Sequence, residues 1–130
     1  MKLHHIGVAV KDLDGAIARH AALGFKLAHR EVVASQKVEV AFMGEGPWIE
    51  LVTGTAPDSA VTKFLDKRGE GQHHVAYAVP SIAKVLAAEK AASRSPIDAA
   101  ARPGAWGHRV AFLHPKDHGG VLVELVEEAH

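Results

Sequence analysis

The sequence predicts an α+β protein built from two tandem βαβββ modules, and three observations carry that expectation. The first is an internal repeat. Leu3-His4-His5-Ile6-Gly7-Val8-Ala9-Val10 matches Gln72-His73-His74-Val75-Ala76-Tyr77-Ala78-Val79 at an offset of 69. The second is that the matching continues in order. Val40-Ala41-Phe42 falls on Val110-Ala111-Phe112 at an offset of 70, and Ile49-Glu50-Leu51-Val52 falls on Val123-Glu124-Leu125-Val126 at 74. The third is that the small drift lies between these blocks, where loops belong, as a duplicated module requires.

Each module reads the same way. A strand comes first, followed by a capping residue, Asp12 or Ser81, that opens a helix. In the first helix Leu13, Ile17 and Ala21 recur at i, i+4 and i+8, which is one helical face. Gly24 supplies a stop. Three strands are then expected, at 26–33, 38–43 and 48–53 in the first module and near 95–99, 108–113 and 121–126 in the second. Between the modules Val61, Phe64 and Leu65 predict a short helix, entered at Pro57-Asp58-Ser59 and stopped by Gly69. Gly44-Glu45-Gly46-Pro47 and Gly119-Gly120 read as turns. The whole is expected to be one domain over 1–130, with module one at about 1–55, the linking helix at about 57–69 and module two at about 70–130.

Composition removes several functions. Among 130 residues, 48% are hydrophobic and 23% charged, an ordinary globular balance. Fifteen Lys and Arg offset fifteen Asp and Glu, so the basic excess of a nucleic-acid binder is missing. With no cysteine, disulfides, thiolate metal sites and cysteine nucleophiles are excluded. No apolar run reaches membrane-span length, and the first residues lack a leader-like apolar core. A cytoplasmic protein with no membrane partner is expected.

Chemistry enters through polar residues on strands. Alternation puts His5 on one face with Gly7 and Ala9, and puts Ile6, Val8 and Val10 on the other. His74 likewise shares a face with Ala76 and Ala78. Bulky faces should pack on helices, while small residues beside a histidine leave space for a cleft. Glu50 and Glu124 interrupt apolar runs, and each either faces water or is paired or metal-bound, because a lone carboxylate is expensive to bury. The duplication favours the metal. A pseudo-twofold axis would gather His5, Glu50, His74 and Glu124 around one point, a donor set that suits a divalent ion with positions left for substrate. His4 and His73 have the wrong parity. His20, His29, His108, His114, His118 and His130 read as surface or hydrogen-bonding residues, with His114-Pro115-Lys116-Asp117-His118 forming a turn. Glu39 shares a face with Ala41 and Met43, and its repeat mate is Arg109. It is therefore not a ligand, and is either a proton carrier on the cleft side or an exposed strand glutamate.

With these residues in place, the chain resembles the vicinal oxygen chelate (glyoxalase I) superfamily, and more closely the methylmalonyl-CoA epimerases. The matching stretches include His5-Ile6-Gly7-Val8-Ala9-Val10-Lys11-Asp12-Leu13, Pro57-Asp58-Ser59, Lys63-Phe64-Leu65 and Lys67-Arg68-Gly69-Glu70-Gly71 with His73-His74. Arg102-Pro103-Gly104 and the block from Val110-Ala111-Phe112-Leu113-His114-Pro115-Lys116 to Gly119-Gly120-Val121-Leu122-Val123-Glu124-Leu125 complete it. The resemblance implies a curved, cup-shaped, mixed eight-stranded sheet, with His5, Glu50, His74 and Glu124 as metal ligands and Glu39 and Glu124 as the acid/base pair. It implies epimerisation of methylmalonyl-CoA at C2, by proton removal and return through a metal-stabilised enolate. The implied cofactor is a divalent ion, Co²⁺ first, with Mn²⁺, Ni²⁺, Zn²⁺ or Mg²⁺ as alternatives. The implied partners are an acyl-CoA and a second copy of the chain in a homodimer. Two other readings stay open: a glyoxalase I-type lactoylglutathione lyase, which shares the ligands, and a non-catalytic small-molecule binding protein.

Overall fold

A computed structural model describes residues 1–129. The observed elements run β1 (Lys2–Ala9), α1 (Leu13–Ala22), β2 (Leu27–Val33), β3 (Val38–Met43), β4 (Trp48–Gly54), α2 (Ala60–Arg68), β5 (Gly71–Ala78), α3 (Ile82–Ala91), β6 (Arg102–Pro103), β7 (Arg109–Leu113) and β8 (Val123–Glu127). This is βαβββ, a linking helix, and βαβββ again, the α+β class expected. The chain forms two compact units, one of residues 5–73 and one of residues 1–4 with 74–130.

Local chemistry sets the helices. The Asp12 side chain accepts a hydrogen bond from the Gly15 N–H at 3.1 Å, and Ser59 and Ser81 accept from Val61 and Lys84 at 3.2 and 3.3 Å. Arg19 and His20 close α1, and Lys67 and Arg68 close α2, where cations complement the carbonyl end of the dipole. Gly69, at φ 77°, ends α2 in a conformation that a side chain would strain. Gly54 is required for a different reason: a Cβ there would lie 1.9 Å from Thr62 Oγ1, the hydroxyl that donates to the Ala56 carbonyl.

In the unit of residues 5–73 the strand order is β2-β3-β4-β1, with β1 parallel to β4 and the other pairs antiparallel. One face packs under α1. Leu13 and Ala16 meet Val10, Ala41, Met43 and Leu51, with Val8, Ile17 and Ile49 at the edge. The second unit repeats the plan with order β5-β8-β7-β6 and β5 parallel to β8. There Ile82 and Leu86 of α3 meet Val79, Ala111, Leu113, Val123 and Leu125. Val8, Leu51 and Leu125 thus face helices, as the bulky-face rule predicts. No helix is long and apolar enough to cross a membrane, among the described residues.

One expected strand is missing. Residues 95–99 form an irregular segment, and a two-residue strand, β6, occupies the edge instead. The reason is a side chain that does the work of a backbone. Asp98 accepts the Phe112 N–H at 2.8 Å, while the N–H groups of Ile97 and Asp98 both converge on the Phe112 carbonyl. Once a carboxylate satisfies that strand edge, a continuous ladder is not needed.

Leu51 is fully buried and Val32 is 58% exposed. Leu51→Ala should therefore cost about 2–5 kcal/mol. Val32→Ala should stay within about 0.5 kcal/mol. Urea unfolding midpoints read the difference, and equal costs would mean that Leu51 is not part of the core under α1.

Candidate functional site

Each unit carries the same constellation on the face away from its helix, and strand register explains why. In the first unit the parallel β1–β4 pairing sets Gly7 beside Glu50, and the antiparallel β3–β4 pairing sets Phe42 opposite Glu50. In the second, Ala76 lies beside Glu124 and Phe112 opposite it. His5 and His74 precede Gly7 and Ala76 by two residues, so each imidazole shares the face of its glutamate. The distances agree. His5 Nε2 lies 3.7 Å from Glu50 Oε1, and His74 Nε2 lies 3.1 Å from Glu124 Oε1. The ring of Phe42 meets His5 edge-on at 5.4 Å and 85°, and Phe112 meets His74 at 5.9 Å and 83°. The phenylalanines thereby fix the planes of the imidazoles.

All four polar residues are buried: His5 at 2%, Glu50 at 6%, His74 at 6% and Glu124 at 7% exposure. The reading in which these glutamates face water therefore fails for both. A carboxylate held this far from solvent needs a compensating charge, and a neutral imidazole supplies only a dipole. Within each unit the set is one nitrogen and one oxygen donor, and the duplication doubles it. Imidazole and carboxylate together suit a divalent ion of the Mn²⁺, Co²⁺ or Zn²⁺ kind, so the residues present fit the metal that the resemblance implies.

Glu39 requires a correction. The uninterrupted register pairs Glu39 with Thr53, Ala41 with Leu51 and Phe42 with Glu50. Glu39 therefore points to the α1 side of the sheet, opposite to Glu50. There it accepts a hydrogen bond from Arg30 Nε at 2.9 Å, while Arg30 Nη1 reaches Asp14 of α1 at 2.8 Å. Hydrogen bonds to Asp14 and then Glu39 raise the Arg30 pKa, so the guanidinium bridges the two carboxylates in its charged form. Glu39 shares its face with Ala41 and Met43, and those two residues face the helix. A proton carrier on the cleft side is not found at this position.

The remaining histidines have local roles. His20 Nδ1 lies 2.8 Å from the Ala16 carbonyl, and His108 Nδ1 accepts from the Ala129 N–H at 3.0 Å. His114 caps the 3₁₀ turn Pro115–Asp117 through the Lys116 N–H. His118 lies 2.7 Å from the buried Glu89, which Arg94 also bridges. His4 meets His108 edge-on, and His73 meets Phe64 edge-on. His130 lies outside the described residues. His29 differs from these. It stands on the ligand-bearing face, opposite Phe42, and its Nε2 lies 2.7 Å from Glu31 Oε1. Phe42 and Phe112 were visible beforehand as the matched Val-Ala-Phe triplets. The placement of His29 was not.

The Glyoxalase/Bleomycin resistance protein/Dioxygenase superfamily matches residues 4–112. The mitochondrial methylmalonyl-CoA epimerase of Mus musculus is 41% identical over 128 residues, spanning 95% of this chain and 71% of that protein. The ethylmalonyl-CoA/methylmalonyl-CoA epimerase of Cereibacter sphaeroides is 35% identical, spanning 95% of this chain and 96% of that protein. Among solved structures, a variant methylmalonyl-CoA epimerase of Streptomyces coelicolor in complex with 2-nitronate-propionyl-CoA is similar at a TM-score of 0.94. It has 36% sequence identity, and the match covers 100% of this chain and 99% of that one.

The face assignment makes Glu39 a surface-bridge residue. Glu39→Gln should lower stability by about 0.2–1 kcal/mol, as for an exposed ion pair. It should leave Mn²⁺ affinity unchanged in calorimetric titration. Loss of Mn²⁺ binding in this variant would return Glu39 to the ligand-bearing face.

Proposed function

We propose that this chain, which belongs to the Glyoxalase/Bleomycin resistance protein/Dioxygenase superfamily and within it to the methylmalonyl-CoA epimerases, interconverts the 2R and 2S forms of methylmalonyl-CoA. The observation that carries the reading is the buried His–Glu pair backed by a phenylalanine edge, present once in each unit at equivalent strand positions.

His5, Glu50, His74 and Glu124 would together hold one divalent ion. When bound, such an ion supplies Lewis-acid stabilisation of negative charge developing on the thioester oxygen. The chain's own residues supply the rest. Gly7, Ala9, Ala76 and Ala78 carry little or no side chain on the ligand-bearing faces, which leaves room for an acyl group. Phe42 and Phe112 hold the imidazoles in fixed planes, so the donors need no reorganisation when substrate arrives. The C2 hydrogen of methylmalonyl-CoA lies between a thioester and a carboxylate, and its removal needs a base held within hydrogen-bond reach. Glu124, whose Oε1 lies 3.1 Å from His74 Nε2, would supply one such base. Inversion also needs a second carrier on the opposite side of C2.

Incubation with (2S)-methylmalonyl-CoA in heavy water tests the reading. The expected result is formation of the 2R epimer with deuterium at C2, abolished by a chelator and restored by Mn²⁺ or Co²⁺. Turnover of the methylglyoxal–glutathione hemithioacetal, with none of methylmalonyl-CoA, would assign the chain to lyase chemistry instead.

The metal reading has a separate test. Saturating Mn²⁺ at about 100 times its dissociation constant should stabilise the protein by about 2.7 kcal/mol and raise its melting temperature. The His5→Ala/His74→Ala double variant should lose that rise. Stoichiometric Mn²⁺ retained by the double variant would exclude a site shared by the two pairs.

A further inference from the structure

The ligand-bearing face of residues 5–73 holds a second imidazole–carboxylate pair. Its cross-strand rows read Gly7, Glu50, Phe42, His29 and then Ala9, Val52, Val40, Glu31. The titratable side chains on this face of strands β1 to β4, within residues 5–73, are therefore His5, Glu50, His29 and Glu31. Phe42 separates the two pairs. Its ring lies 5.4 Å from His5 on one side and 6.5 Å from His29 on the other.

A local irregularity puts His29 there. Leu27 pairs with Met43, and His29 already pairs with Phe42, so the register shifts between them and Ala28 is the extra residue. Without this bulge His29 would pair with Ala41 and face α1. Bulges commonly re-aim a side chain next to a functional site. The side chains it re-aims are half-buried, 28% exposed for His29 and 31% for Glu31, and they sit 2.7 Å apart. The other unit differs at the equivalent edge position. Its residue opposite Val110, as Glu31 is opposite Val40, is Arg102, which is bonded to Asp98.

We infer that the His29–Glu31 dyad is the second proton carrier of the epimerisation, an inference that rests on the function proposed above. Glu31 holds Nε2 of the imidazole, which selects the tautomer and leaves the proton transfer to Nδ1. Adjacent strands lie about 4.8 Å apart, so His29 and Glu50 are separated by two spacings, about 10 Å between backbones. An acyl carbon lying over Phe42 comes within reach of side chains from both strands. In one direction the C2–H bond breaks, the proton goes to Nδ1 and the electron pair enters the thioester enolate. The opposite face is reprotonated by the other carrier, for which the proposed function offers Glu124, and exchange with water resets both groups. The reverse direction runs the same steps backwards, so no other reactant is consumed.

The test uses the full chain supplied with Mn²⁺ and each epimer of methylmalonyl-CoA separately in heavy water. Wild type should invert both epimers. His29→Gln should lose inversion by about 10²–10⁴-fold, the usual contribution of a general acid–base group. It should still wash deuterium into C2 of one epimer without inverting it. Glu31→Gln should reduce turnover more than apparent affinity, and should shift the ring-nitrogen NMR signals of His29 in the protein without substrate or metal. Melting temperature and Mn²⁺ titration check that fold and ligands persist. If His29→Gln fails to fold, His29→Asn and the Glu31→Gln spectra decide the matter. A His29 variant that inverts both epimers at the wild-type rate overturns the dyad while leaving the epimerase reading in place. A wild type that neither inverts nor exchanges methylmalonyl-CoA overturns both.

Discussion

Two carboxylates buried beside imidazoles are the constraint on which the rest of the structure depends. Glu50 and Glu124 sit in the middle of apolar strands, where hydration is lost and each needs a partner within reach. The fold meets that need by register. A parallel neighbour contributes glycine or alanine at the same level, an antiparallel neighbour contributes phenylalanine, and the histidine two residues earlier turns onto the same side. A one-residue slip of β4 or β8 would drive the glutamate under a helix and pull a core leucine out. Helix packing and ligand placement are therefore one requirement seen from two faces of the sheet, and neither can be altered without the other.

The helix-facing sides secure this arrangement. Leu51 and Leu125 are the direct neighbours of Glu50 and Glu124 along the chain, and both are fully buried. Burying a leucine side chain contributes about 1.5–3 kcal/mol. That contribution falls on the residues whose position fixes the parity of the glutamates. The caps at Asp12 and Ser81 place α1 and α3 at the ends of β1 and β5, so the helices begin where each module first needs cover.

Much of this was legible in the sequence, and the reason is the repeat. Duplicated His-His and apolar-Glu-apolar patterns specified strand parity, and parity specified which residues gather on one side. Helix boundaries followed from Asp12, Ser59, Ser81 and Gly69, whose side chains or backbone freedom act locally. What escaped was non-local. Alternation alone groups Glu39 with Ala41 and Met43 but does not say which face α1 covers, so the side of the sheet that Glu39 occupies is not fixed by it. The strand expected at 95–99 failed because Asp98 replaces ladder hydrogen bonds with a side-chain bond to Phe112. The placement of His29 is not legible in the sequence, because an added residue in an edge strand leaves no signature in a pattern of alternation.

The extra residue at Ala28 also says something about how such a scaffold can diverge. Its neighbours on β3 and β4 are locked by the core, but β2 is the outer strand of its half-sheet, and Ala28 itself is exposed. Closing the bulge by a one-residue slip, with Ala28 paired to Phe42, would leave the buried ligands untouched while rolling the strand by half a pleat. His29 and Glu31 would leave the ligand-bearing face, and Ala28 and Arg30 would take their places. A register slip at a sheet margin thus acts as a frameshift in space. The same two strands can present an imidazole and a carboxylate, or a guanidinium, over an unchanged set of donors, and new chemistry can arise there without any substitution in the core.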